Sequence, residues 1–340
     1  MRKPTIGDLA RAAGVSVTTV SHAFSGKRHV EPGTRQRIEE IARQIGYRPN
    51  IRARLLRTGT ANSIALISSM PFAVAAGPSR LGFLMEIAAA AAMPALLNGL
   101  ALSIVPPMES EGALDALEVD GVIIVEPTVN DPVLEYFDDR NIPIVSIGRV
   151  PDRDDITFVD LQSERTAKLL LDHLATEGGR TGLITGTARR NSYYETERAY
   201  LQYVARHGYQ PVAIRLEESG GEQAAREAVD ILLRDTPDLT ALCVPVDAFA
   251  SGALIAAKAV GRLVPDDLRI ATRYDGLRAK LASPALTAVD LHLDEVATAA
   301  VELLIARLQN REPPKPYSLL PELVIRASTQ PLMRSRPAFR

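Results

Sequence analysis

The sequence predicts a small all-α head followed by an α/β body made of two parallel-sheet halves. Three observations over its 340 residues carry that fold class. Residues 1–60 hold 12 Lys/Arg against 4 Asp/Glu and read as short amphipathic helices. The rest of the chain holds 27 Lys/Arg against 37 Asp/Glu. From residue 61, apolar runs of strand length alternate with helical periods, and the series occurs twice. A net charge of −2 thus hides a basic head on an acidic body. Such a head suits a polyanion and such a body does not.

Composition narrows the classes further. With 46% hydrophobic and 24% charged residues, the chain is ordinary globular material, long enough for two or three domains. Cys243 is the sole cysteine, which excludes a disulfide framework and a cysteine-rich metal site. No metal or cofactor is expected. The histidines at 22, 29, 173, 207 and 292 are scattered. The opening "MRKPTIGDLA" lacks an apolar signal region, and no apolar run is long enough to span a bilayer, so the expected location is cytoplasmic. There is no G-x-S-x-G elbow, P-loop or metal-ligand spacing, which argues against an enzyme.

Each element of the head has a local cause. "TIGDLARAAG" starts at Thr5, a cap with Asp8 three residues on. Ile6, Leu9, Ala10 and Ala13 share one face, and Gly14 ends the helix. Ser16 caps a second helix, "VTTVSHAF", in which Val20 and Phe24 face one side. A third begins near Pro32, with Ile38, Ile41, Ala42 and Ile45 inward. Two helices joined by a tight Gly turn, the second with small polar residues at its front, form a helix-turn-helix pattern. Such a front lets short side chains reach phosphates and base edges in the major groove. The basic "NIRARLLRTGT" follows, capped by Asn50. It is too short to be a stable helix alone and is expected to fold on contact with a partner.

The body reads as strands "SIALIS" (63–68), "LALSIV" (100–105), "DGVIIVE" (120–126) and "IPIVSIG" (142–148), with helices between. A second series has strands at 181–185, 211–216, 241–246 and 269–274, separated by helices such as "TERAYLQYVARHG" and "EQAAREAVDILLRD". The "IAAAAAM" stretch (87–93) fits either a close subunit contact or a well-formed core helix.

The run "PTIGDLARAAGVSVTTVSHAFSG…GYRPNIRARLLRTG" resembles the LacI/GalR family of bacterial transcriptional regulators. The resemblance implies a helix-turn-helix domain at 1–49, a hinge helix at 50–60 and a type I periplasmic-binding-protein effector domain at 61–330. Its first half would span 61–161 and about 291–320, its second 162–290 and about 321–330, with 331–340 as a tail. It implies base reading by Val17, Thr18 and His22, the last at a position that is often Arg in the family. It implies phosphate contacts from Ser16, Thr19, Ser21 and Thr34, and places Thr5, His29, Tyr47 and Asn50 on the same DNA face. In the hinge it places Ala53 on the minor-groove floor and Leu56 as the wedge, with Leu55 as the alternative. In the cleft it points to Ser69, Tyr194, Arg198, Asp247, Tyr274 and Asp275 as ligand residues, with Arg198 as the pocket arginine. Val246 stands where the family usually has Asn.

The implied function is a homodimeric repressor on a pseudo-palindromic operator, controlled by a sugar or nucleoside-like effector between the halves. The tail shows no tetramer-forming zipper. Competing readings are an enzyme on a ligand-binding fold, a solute-binding transport protein and an architectural protein that bends DNA without sequence choice.

Overall fold

The computed structural model describes residues 4–25, 28–47, 60–75, 82–106, 111–175, 179–314 and 319–330. Asn50, Ala53, Leu55 and Leu56 of the hinge, and the tail at 331–340, lie outside the described residues. The chain forms two units, Met1–Ala61 and Asn62–Arg340.

The first unit holds α1 (Ile6–Ala13), α2 (Val17–Ser25) and α3 (Pro32–Ile45). Thr5 and Asp8 form a reciprocal capping box: the Thr5 amide donates to Asp8 Oδ2 at 2.9 Å, and the Asp8 amide to Thr5 Oγ1 at 3.3 Å. Gly14 closes α1 at φ 63°, a left-handed conformation that costs a side chain but not glycine. Two residues later Ser16 Oγ accepts from the Thr19 amide at 3.0 Å, which starts α2. Leu9, Ala10, Ala13, Val20, Ala23, Ile38 and Ala42 fill the space between the three helices. This is the helix-turn-helix head, and the fold class read from the sequence is the one observed.

The second unit has two parallel sheets. In the first, the order is β2-β1-β3-β4-β5, from β1 (Ser63–Ser68), β2 (Ala101–Val105), β3 (Gly121–Val125), β4 (Ile144–Ile147) and β5 (Thr157–Val159). In the second it is β7-β6-β8-β9, from β6 (Arg180–Gly186), β7 (Ala213–Leu216), β8 (Leu239–Cys243) and β9 (Arg269–Ala271). Central β3 and β4 are buried along their whole length, because helices cover both faces. In chain order those helices are α4 (Phe72–Ala75), α5 (Phe83–Leu97), α6 (Pro132–Asp138), α7 (Ser163–Leu174), α8 (Asn191–His207), α9 (Gly221–Asp235), α10 (Asp247–Ala259), α11 (Leu277–Leu281) and α12 (Leu293–Leu308). A two-stranded antiparallel ribbon, β10 (Ala288–Asp290) with β11 (Glu322–Val324), lies in the late segments. Beyond β10 the chain returns to the first sheet, where α12 packs on α5 and on β3, β4 and β5.

Two departures from the sequence reading have simple causes. Strands β5, β10 and β11 are three residues each, too short to display a period of two. Helix α8 begins at Asn191, not at Thr196, because its buried stripe already starts with Ser192 and Tyr193. In α5, Ile87, Ala88 and Ala91 belong to the core, while Met93, Leu96 and Leu97 face outward.

His173 on α7 lies 2.8 Å from Thr329 Oγ1 through Nε2. Burial, helped by Arg269, lowers its pKa below 6.5. The folded state thus resists a proton that the unfolded state accepts, so stability is full above about pH 6.5 and falls as the pH drops below it. His173→Gln should flatten the decline in urea-unfolding free energy between about pH 7 and pH 5. A slope identical to wild type would mean that His173 is not its source.

Candidate functional site

In the head, the turn at Gly14 presents the first turn of α2 to solvent. Ser16, Val17 and Thr18 are exposed, and Val17 keeps 47% of its surface. An exposed valine among short polar residues suits a thymine methyl better than water. His22, one turn on, is half-buried, and His29 is exposed. Thr19 is tied to Ser16, with the two hydroxyl oxygens 2.8 Å apart. Thr34 donates its hydroxyl to Glu31 at 3.0 Å. Thr5 is engaged in the capping box, and the Tyr47 ring lies tilted at 51° to that of Phe24, 6.1 Å between centroids. Ser21 is an exception to the surface placement: it is buried, turned toward the helix packing.

In the body, the carboxyl ends of the strands of both sheets converge on a cleft, the place where open parallel sheets hold ligands. The cleft is lined by a charged cluster. Glu126 directly follows β3, Arg190 precedes α8, Glu218 follows β7 and Arg273 follows β9. All four are buried, Arg190 at 1% exposure. Arg190 makes a fork with Glu218, Nε to Oε1 at 2.9 Å and Nη2 to Oε2 at 2.8 Å. Its Nη1 reaches across to the Glu126 carbonyl and to Ser69 Oγ, the latter at 3.3 Å. Ser192 donates its hydroxyl to the Glu126 carboxylate, and Arg273 Nη1 lies 3.4 Å from it. Tyr193 donates to Glu218 at 2.5 Å.

The electrostatics follow from this pairing. Burial opposes the Arg190 charge, yet the paired Glu218 carboxylate outweighs it, and the guanidinium pKa is raised. Burial first, then Glu218, pushes the Tyr193 phenol well above its usual value, so it stays a donor. The Glu126 carboxylate lies at the amino end of α8, where the helix dipole favours an anion. Glu126 itself adopts φ 53°, a strained conformation for this residue type and one typical of functional loops. Gly148 makes room for it: a Cβ there would lie 3.1 Å from Glu126 Oε1. The backbones of the two halves also meet directly, the Val129 amide donating to the Arg189 carbonyl at 3.0 Å.

The sequence-expected cleft residues separate into groups. Ser69 joins the charged cluster. Asp247 is buried beside Arg278, Oδ2 to Nε at 3.3 Å, and burial pushes its carboxyl up against the pull of Arg278. Tyr274 and Asp275 border a separate cavity of about 430 Å³. Tyr194 is on the rim, its hydroxyl accepting from Arg189 at 2.9 Å. Arg198 is not in the cleft. It is 58% exposed and pairs with Glu164 on α7, because its position on α8 falls outside the buried stripe of Ser192, Thr196 and Tyr200. The cleft arginines are instead Arg190 and Arg273. Sequence reasoning missed them along with Glu126 and Glu218, although three of these four lie at strand ends, as the ligand rule for parallel sheets requires.

Comparison with known proteins bears on both units. Residues 5–50 match the model for bacterial regulatory proteins of the lacI family, and residues 171–329 match a periplasmic binding protein-like domain. The chain carries the DNA-binding head of the lacI family. It is a DNA-binding transcriptional regulator and not an enzyme. The HTH-type transcriptional regulator CelR of Thermobifida fusca is 28% identical, over 96% of this chain and 98% of that protein. The HTH-type transcriptional repressor PurR of Edwardsiella ictaluri is also 28% identical, over 95% and 96%. Catabolite control protein A of Staphylococcus epidermidis is 25% identical, over 96% and 99%. Among solved structures, the Lac repressor dimer bound to operator and the anti-inducer ONPF superposes with a TM-score of 0.79. It is 24% identical and is matched over 96% of this chain and 99% of that one. A CelR–cellobiose complex gives 0.66 at 22% identity, over 96% and 100%.

Removing one partner of a buried ion pair leaves its charge unmatched, at a cost of about 3–5 kcal/mol. Arg190→Ala should therefore lower the unfolding free energy by roughly that amount in urea titration. Arg198→Ala, which breaks an exposed pair, should cost about 1 kcal/mol or less. Equal losses would contradict the placement of the two arginines.

Proposed function

We propose that this regulator is a homodimeric repressor whose operator affinity is set by a small effector held between the two halves of the body. The observation that carries the reading is the exposed front of α2 on a basic head, where Val17 and Thr18 stand clear of the core. Val17, Thr18 and His22 are the proposed base readers, with Ser16, Thr19, Thr34 and His29 near the phosphates. Thr5, Ser21 and Tyr47 act there through the fold of the head. Asn50, Ala53 and Leu56 are proposed to complete the contact from the hinge. His22 offers one or two donors where an arginine would offer a fork, so the half-site differs from that of an Arg-bearing relative.

Dimerisation is supported by the exposed apolar side chains Met93, Leu96 and Leu97 of α5 and Ile104 of the edge strand β2. Two heads related by a two-fold axis then fit a pseudo-palindrome. No helix among the described residues is long and apolar enough to cross a membrane, in keeping with a cytoplasmic regulator. The effector acts by binding one arrangement of the two halves better than the other, since only differential affinity shifts such an equilibrium. Ser69 joins the Arg190 cluster where the two halves meet, Asp247 is buried beside Arg278, and Tyr274 and Asp275 border the separate cavity.

An operator selected from random duplexes tests the reading. His22→Ala should weaken operator binding by about 1–3 kcal/mol while leaving binding to random duplex nearly unchanged at the same salt concentration. Equal loss on both duplexes would remove His22 from the readers. Equal wild-type affinity for both would favour an architectural protein.

A further inference from the structure

The fork on Arg190 restricts what can bind beside it in the cleft. Glu218 takes both prongs of the guanidinium, Nε to Oε1 at 2.9 Å and Nη2 to Oε2 at 2.8 Å. A molecule that binds Arg190 through these donors must take the place of that carboxylate. Arg190 is 1% exposed, and a guanidinium keeps its charge even at that depth. A neutral ligand in place of Glu218 would leave the buried charge unmatched, which is strongly unfavourable. A ligand with its own carboxylate exchanges one anion for another and keeps the balance.

The two partners differ in how firmly they are held. Arg190 is anchored by its backbone, which bridges to Thr128 of the first half and accepts from the Tyr193 and Tyr194 amides at 3.2 Å. Glu218 belongs to a single turn, Glu218–Gly220, between β7 and α9. Its neighbours Glu217, Ser219 and Gly220 are exposed, and Glu218 alone turns inward. Its carboxylate can swing out to water without breaking either flanking element. The same turn packs on α4 of the first half, so its release is felt there.

A second observation is independent of the fork. Arg273 is 7% exposed and gives one N–H to Glu126 at 3.4 Å, yet its buried Nε has no hydrogen-bond partner among the described residues. Unused buried donors are uncommon and call for an explanation. Arg190 and Arg273 both reach Glu126, one to its carbonyl and one to its carboxylate. An incoming carboxylate brings acceptor oxygens to this donor-rich place.

We infer that the cleft takes a small hydroxylated carboxylic acid, whose carboxylate displaces Glu218 from Arg190. Glu218 is then an internal stand-in that holds the site until the acid arrives. Ser69, Ser192 and the Glu126 carboxylate, all in the same network, offer partners for the hydroxyl groups of such a molecule. Once Glu218 has left, Arg190 and Arg273 face Glu126 alone, with one positive charge in surplus. A monocarboxylate cancels it, whereas a phosphate ester, with roughly two negative charges at neutral pH, overshoots. This inference rests on the reading of the cleft as an effector site and specifies its ligand class.

Calorimetry on the full chain tests it, with D-gluconate, D-glucuronate and lactate as probes, D-glucitol as the neutral counterpart and glucose 6-phosphate as the phosphate control. At least one acid should bind, with an affinity that falls as salt rises, while glucitol does not bind and glucose 6-phosphate binds more weakly than the acid. Glu218→Gln removes the competing charge, so the same acid should bind about tenfold tighter. Arg190→Lys keeps the charge but loses the fork and should weaken it about tenfold. A merely structural pair would move both variants in the same direction. The wild-type comparison decides the ligand class even where a variant fails to fold. No acid binding, glucitol binding as tightly as the acid, preference for glucose 6-phosphate, or an acid affinity unchanged or weakened in folded Glu218→Gln would each overturn the inference. Operator affinity measured alongside separates the two levels. An acid that binds without changing operator affinity keeps the carboxylate site and rejects its effector role. A neutral ligand that shifts operator affinity while the acids fail to bind keeps the regulator and rejects the carboxylate site.

Discussion

The fork between Arg190 and Glu218, extended by Arg190 to the Glu126 carbonyl, is the interaction on which the body depends. A guanidinium at 1% exposure is tolerable only if its charge is met and its donors are used. Here the charges balance, two arginines against two glutamates, and they come from both halves of the cleft. Arg190 belongs to the second half and Glu126 to the first, 64 residues away in sequence. The pairing stabilises little in net terms, since desolvation offsets most of the attraction. What it supplies is orientation: the amino end of α8, the end of β3 and the loop after β7 are held in one arrangement.

That arrangement shapes what a ligand can do. A molecule entering between Glu126 and Arg190 must replace hydrogen bonds that the protein already makes with itself. The Tyr274 cavity is a separate space, bordered by Tyr274 and Asp275. The two regions are linked by Phe83, whose ring meets Tyr274 edge-on at 5.3 Å and has the Arg273 guanidinium 5.5 Å from its centre. Occupation of the cavity thus bears on Arg273, and through it on Glu126, by direct contact. A two-state closure biased at one of these points is felt at the other.

The head was readable from sequence because its determinants are local. Thr5 and Asp8 are three residues apart, Gly14 acts on its own backbone, and Ser16 caps the next three residues. The central strands were readable because burial on both faces makes them continuous apolar runs. The cleft was not, because its pairs join residues 28 to 147 positions apart, such as Arg190 with Glu218 and Arg273 with Glu126. Arg198 shows how the reading failed. The family resemblance implied a pocket arginine just inside a helix, but the helix starts five residues earlier than expected. Counting the buried stripe from Ser192 and Tyr193 turns Arg198 outward to Glu164.

The central claim is that the two halves of the body are held together by their own side chains in the absence of any ligand. Backbone hydrogen exchange on the ligand-free full chain addresses it directly. The Val129 amide, which donates across the cleft to Arg189, should be protected in the wild-type protein, and that protection should be lost in Arg190→Ala while central β3 stays protected. Immediate exchange at Val129 in the wild-type protein, with β3 intact, would contradict the account.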